Sequence, residues 1–157
     1  MTESYANLEE RIRVRNESPD YQEFEKQYKV DNPYHTYLME WDVDCCIWYW
    51  DPKEETSLPI DWDDNLVYLE PENEKTEKFV ELSGLAEWIR KPLSAVSATP
   101  DGEDILFDWK SWNGRGIELA KKLRELLPDD YVLYYCPPFE DYSSWDAVPV
   151  LITKKGD

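Results

Sequence analysis

Asp42, Asp44, Asp51, Asp61, Trp62, Asp63 and Asp64 place six carboxylates and one indole within 23 residues of an already aromatic stretch, CCIWYWDPKEETSLPIDWDD at 45–64. Carboxylates at this density can do three things: hold a cation, move protons, or pair with the positive side chains of a partner.

The metal reading fails on geometry. Asp61, Asp63, Asn65 and Glu72 fall at positions 1, 3, 5 and 12 of a calcium loop, but position 6, which needs glycine for its sharp turn, is Leu66. The segment after Pro59 and the strand-like Leu66 to Leu69 leave no room for the flanking helices, so a solvated acidic loop is expected and no metal.

Proton transfer by a carboxylate pair carries no information here. With 35 acids in 157 residues, many pairs must lie at the roughly 5–10 Å that glycoside hydrolysis uses. Nucleophilic catalysis is no better supported: His35 is the one histidine, no GxSxG elbow accompanies it, and its neighbours Tyr34 and Tyr37 suit a structural role. Cys45, Cys46 and Cys136 match neither a disulfide framework nor a CxxC pattern and are expected as buried, reduced thiols. Asn113-Gly114-Arg115-Gly116 lacks the phosphate-loop lysine; it reads as a turn opening a helix, capped by Ser111 or Asn113, with anion binding by its amides as the alternative. The expectation is therefore a non-enzymatic protein with no catalytic residues and no cofactor.

Pairing with a cationic partner remains. There are 17 basic against 35 acidic side chains, for a net charge of −18. Such a field opposes binding to nucleic acid or an anionic membrane and speeds encounter with cationic proteins. The excess is local: Glu40 to Glu81 holds 14 acids and 3 bases, whereas Lys110 to Leu127 holds 2 acids and 5 bases. Tryptophan and tyrosine concentrate binding energy at interfaces. Some of Trp41, Trp62, Tyr68, Trp109, Trp112 and Trp145 are expected at the surface, with Asp42, Asp44, Asp51, Asp61, Trp62, Asp63 and Asp64 as partner contacts.

The elements that must position these residues follow from periodicity. Residues 1–17 read as an amphipathic helix on Tyr5, Leu8 and Ile12, and Ser18-Pro19-Asp20 opens a second helix running to about Tyr28. β-favouring residues from His35 to Trp50 predict one or two strands, with Trp48 and Trp50 facing one way and Tyr49 the other. Asp51 to Asp64 reads as an acidic loop at the sheet edge, and Leu66 to Leu69 as a short strand. Phe79, Leu82, Leu85, Trp88 and Ile89 form a helical stripe from Thr76 to Lys91, with Pro92 as its end.

The C-terminal part reads as a strand at 104–109, a helix at 111–127 and a buried strand at 131–136. The helix presents Leu119, Ala120, Leu123, Leu126 and Leu127 on one face and Glu118, Lys121, Lys122 and Glu125 on the other. This order suggests a βαβ crossover, with an antiparallel arrangement as the alternative. Val148 to Thr153 supplies a last strand, placed at an edge by Pro149. The sum is one α+β domain over 1–157, with a helical segment at 1–33 and a mixed or antiparallel sheet of about five strands, plus helices, at 34–157. No apolar run of membrane-span length and no signal-peptide core is present, so a cytoplasmic location is expected.

DWKSWNGRGIELAKKLRELLPDDYVLYY, with the acidic aromatic strands before it, resembles small acidic bacterial immunity proteins of polymorphic or contact-dependent toxin systems, mainly over residues 104–136. That resemblance implies an intracellular protein that binds and blocks one cognate toxin; it transfers no functional residue. The functional expectation is an inhibitor of a basic protein, a nuclease-type toxin first. The alternative is a phage-type nucleic-acid mimic acting on a restriction, CRISPR or other DNA-binding defence protein.

Overall fold

Ser18-Pro19-Asp20 divides the N-terminal segment as its residue types require. Helix α1 (Thr2–Glu17) ends there and α2 (Pro19–Val30) begins, with the Ser18 hydroxyl accepting the Tyr21 N–H at 3.2 Å and Asp20 in the first turn. The computed structural model describes residues 2–30, 34–42, 45–60, 62–63, 66–68, 79–98, 107–138, 141 and 147–154; for 2–8, 30, 62–63 and 94–98 the backbone alone is described.

β1 (Thr36–Glu40) and β2 (Ile47–Asp51) form an antiparallel pair, and a four-residue turn returns the chain as β3 (Thr56–Pro59). The 51–64 stretch is therefore not one loop. It contains β3 and then β4 (Trp62–Asp63), which pairs with β5 (Leu66–Tyr68). β7 (Val132–Cys136) lies parallel to β1, and β8 (Val150–Ile152) pairs antiparallel with β7, giving a five-stranded mixed sheet in the order β3-β2-β1-β7-β8. β8 takes an edge, as Pro149 predicts. β6 (Phe79–Glu81) completes a small three-stranded sheet, β4-β5-β6. The molecule is a single α+β domain.

Two helices depart from expectation. Phe79 to Glu81 is strand, with Val80 buried between exposed neighbours. Gly84, at φ +91°, turns the chain into helix α3 (Leu85–Ala98). The apparent helical stripe thus joined one strand and one helix, while Thr76 to Lys78 lie outside the described residues. Pro92 sits inside α3 instead of ending it. Its missing N–H leaves the Trp88 carbonyl without its helical partner, and the Trp112 indole N–H fills that place at 2.8 Å.

Helix α4 (Trp109–Leu126) begins two residues earlier than predicted, because the Asp108 carboxylate accepts the Ser111 N–H at 3.1 Å and caps it. Residues 107–109 are therefore cap and helix start, not strand, and 104–106 lie outside the described residues. The Asn113–Gly116 run falls inside α4, its amides committed to the helix, so neither a turn nor an anion-binding loop exists there. Leu119, Ala120, Leu123 and Leu127 are buried, but Leu126 is half-exposed.

α4 packs on one face of the large sheet, against β7 and β8, with α3 beside it; α2 packs on the opposite face, against β1 and β2. The α3/α4 side holds the main core, including Tyr37, Met39, Leu119, Leu133 and Tyr135. The α2 side holds a smaller cluster of Phe24, Tyr28, Leu38 and Cys136, bordered by Trp50 and Tyr134. Strand alternation assigns these sets: Tyr49 is buried and belongs to the main core, while Trp48 and Trp50 are half-buried on the other side. Cys45, Cys46 and Cys136 are buried and in no disulfide, and burial raises the pKa of both Cys46 and Cys136.

Candidate partner-binding face

The aromatics divide by face. Trp41, Trp109 and Trp112, three of the six rings from which surface positions were expected, are core residues. Trp88 and Trp112 stack at 4.1 Å with 4° between planes, and each indole N–H donates to the other residue's carbonyl, at 2.9 and 2.8 Å. Trp41 meets Trp112 edge-on and donates to the Ile89 carbonyl at 2.9 Å, tying α3 to the sheet. Gly116 allows this packing: a Cβ there would stand 2.6 Å from the Trp88 ring and 2.7 Å from the Tyr135 hydroxyl. The indole N–H donors of Trp41, Trp88 and Trp112 are thus all used inside the protein. Tyr68 is half-buried against exposed Phe79, 4.1 Å between centroids, while the side chains of Trp62 and Trp145 lie outside the described residues.

The predicted carboxylates do not gather into one described cluster. Asp42 is exposed just past β1, its N–H bonded to the Cys45 carbonyl. Asp51 lies at the far end of β2, on the order of 15 Å away by strand rise. It is buried, and its carboxylate accepts the Lys53 N–H at 2.9 Å, so it holds the β2–β3 turn. Its position corrects the expectation of a surface contact. Asp44, Asp61 and Asp64 lie outside the described residues; Trp62 and Asp63 are placed by backbone, opposite Val67 and Leu66.

What sequence reasoning missed is the cleft between α2 and the β1–β3 sheet. Its volume is about 330 Å³, and its walls include Tyr21, Tyr28, Trp48 and Trp50, with Glu25 and Glu40 among them. The signal was present in α2, where Tyr21, Glu25, Tyr28 and Lys29 recur at helical spacing and mix rings with charge on one stripe. Tyr28 bonds Ser57 of β3 at 3.0 Å, and Trp48 donates to the Glu40 carbonyl at 2.9 Å. Lys29 holds its ammonium 4.5 Å above the Trp50 ring and 2.7 Å from Glu25. Burial raises the phenol pKa values of Tyr21 and Tyr28, so both stay neutral and polar at the cleft.

Behind the cleft, Arg15 is buried. Its guanidinium bonds Glu40 at 3.0 Å, the Cys136 sulfur at 3.1 Å and the Tyr21 hydroxyl at 3.2 Å. Burial works against its charge, but Glu40, Cys136 and Tyr21 more than offset this and leave its pKa raised. Arg11 and Arg124 are buried as well, so three of the 17 basic side chains do not cover the acidic surface. Arg124 instead donates to the Leu127, Pro128 and Asp129 carbonyls at the C-terminal end of α4, where a cation suits the helix dipole. Residues 17–60, which build α2 and β1–β3, contain 11 acids and 3 bases, net −8; Trp109–Leu126 contains 2 acids and 5 bases, net +3.

A second cleft, of about 310 Å³, opens between α3 and α4 over the Trp88 and Trp112 indoles. Its rim charges are matched with acids on their own helices, Lys91 with Glu87 and Arg115 with Glu118, and its walls include Ser111 and the helix-capping Asp108 but no histidine. His35, the one histidine, stacks on Tyr131 at 4.2 Å and bonds Asp130 at 2.8 Å, at the start of β1. Among the described residues, no three histidine, cysteine or acidic side chains group as metal ligands, and no helix is long and apolar enough to cross a membrane. No protein-family model, curated protein or solved structure matches the chain.

Proposed function

We propose that the protein is a non-enzymatic inhibitor that binds and neutralises a cognate basic protein, a nuclease-type toxin in the first instance. The observation that carries this reading is the coincidence of charge and rings in one part of the chain. Residues 17–60, which build α2 and β1–β3, have the acidic excess, and half-buried Trp48 and Trp50 stand beside the open cleft under α2, whereas the indoles of the opposite side are locked together in the core. An interface of this kind uses carboxylates to steer a cationic partner and partly exposed aromatic rings to anchor it. We assign steering to Asp42 and Glu25 among the described acids, and anchoring to the Trp48 and Trp50 rings.

The test is affinity capture with the tagged protein at low salt, followed by assay of the captured partner's own activity with and without the inhibitor. The reading expects a basic protein that elutes as salt rises and loses its activity on stoichiometric binding. Capture of nothing, or of a partner whose activity is unchanged, overturns it. If DNA competes for the partner, the inhibitor occupies the nucleic-acid site; if not, it binds elsewhere.

A further inference from the structure

We infer that the cleft between α2 and β2 is a receptor for one arginine side chain of the partner, which takes the place that Lys29 occupies in the free protein. This deepens the inhibitor reading and rests on it for the source of the arginine, but the chemistry of the cleft can be tested without any partner.

Three observations carry it. The walls combine ring faces with carboxylates, the pairing that binds an organic cation through a ring quadrupole and a charge-assisted hydrogen bond together. The site already holds such a cation: Lys29 lies 4.5 Å over Trp50 and 2.7 Å from Glu25, and Arg15 lies 4.5 Å over the Tyr21 ring at the other side. The two differ in commitment. The Arg15 side chain is 2% exposed and held by three partners, whereas the Lys29 side chain is 39% exposed on a four-carbon stem and can swing into water.

Displacing Lys29 would bare the Trp50 face and the Glu25 carboxylate at once. A guanidinium fits that vacated pair better than an ammonium, because it is planar, is less strongly hydrated, stacks flat on an indole and can form two parallel bonds to a carboxylate. At about 330 Å³ the cleft is at the small end of ligand pockets and has room for one side chain. The net charge of −8 over residues 17–60 favours a cation entering, and an incoming guanidinium restores the neutral balance that the departing lysine leaves.

The experiment titrates the full chain with N-acetyl-arginine amide and follows the indole N–H signals of Trp48 and Trp50 by NMR, with N-acetyl-citrulline amide as the uncharged isostere. Saturable millimolar binding of the arginine probe is expected, with Trp50 shifting most and citrulline inert. Lys29→Met, which removes the resident cation at a half-exposed position, should tighten binding about threefold to tenfold. Glu25→Gln in the Lys29→Met background should weaken it again by a similar factor, and Trp50→Phe should weaken it while keeping a ring in the cluster. Absence of binding in both wild type and Lys29→Met overturns the inference, as does an equal response to citrulline. Either result leaves the capture experiment standing, because a basic partner can bind the acidic face without an arginine in this cleft; failed capture with successful arginine binding rejects the inhibitor reading instead.

Discussion

The two faces of the five-stranded sheet solve different problems with the same residue types. On the α3/α4 side, Trp88 and Trp112 satisfy each other's indole N–H and carbonyl, Gly116 removes the one Cβ that would keep them from Tyr135, and Pro92 frees the carbonyl that one indole uses. Both indole donors are consumed internally. On the α2 side, Trp48 and Trp50 remain half-buried, Lys29 lies on a ring it can leave, and buried Arg15 depends on a partly exposed Glu40. The lesson is that tryptophan count says nothing about binding; what matters is whether the ring's edge and face are already used.

The contrast can be broken most severely from the packed side. Trp88→Ala removes a ring that is 2% exposed, together with its indole bond to the Trp112 carbonyl and its stack on Trp112, and should cost about 3–5 kcal/mol in urea unfolding, the range for large aromatic truncations. Gly116→Val should cost about 1–3 kcal/mol or more by overpacking against Trp88 and Tyr135, since a bare Cβ already stands 2.6 and 2.7 Å from them.

On the α2 side, Glu40→Gln leaves the Arg15 guanidinium buried without its carboxylate. The expected loss is about 2 kcal/mol, below the roughly 3–5 kcal/mol of a fully buried broken pair, because the Glu40 side chain is 21% exposed and water reaches it. A stability loss on Glu40→Gln as large as that of Trp88→Ala would erase the distinction between the faces.

Asp42→Asn sharpens it from the other direction. Stability should stay within about 0.5 kcal/mol of wild type, as for exposed positions generally, while association with the captured partner slows and its salt dependence flattens; unchanged kinetics would remove Asp42 from the interface. The smallest effect is expected at Asp108. The Ser111 side-chain and backbone bonds lower its pKa, so its carboxylate contributes stability above the unfolded value near pH 4 and loses that contribution as pH falls through the lower folded value. Wild type and Asp108→Asn should therefore differ slightly at neutral pH and converge in acid, which chemical denaturation across pH 2–7 would show.

Much of the architecture was legible from local signals. Ser18 with Pro19 marked a helix start, alternation separated Tyr49 from Trp48 and Trp50, and Pro149 marked an edge strand, because each acts within a few residues of itself. The misreadings had a common source. Phe79, Leu82 and Leu85 match a helical stripe only if Gly84 is helical, and its positive φ instead divides a strand from a helix. Pro92 looked like a stop because its usual cost, an unpaired carbonyl, is offset here by an indole 24 residues away. For the site, sequence located the acidic excess but joined Asp42 and Asp51 into one contact set, although β2 separates them and buries Asp51.

Sequence by itself determined the charge, its concentration between Glu40 and Glu81, and the supply of rings, because these are sums over residues and need no partner in space. Only the tertiary structure decided which rings stay available. That depends on contacts between α2 and β2, such as Lys29 with Trp50, 21 residues apart along the chain, and between α3 and α4, where one proline and one glycine let two indoles close on each other.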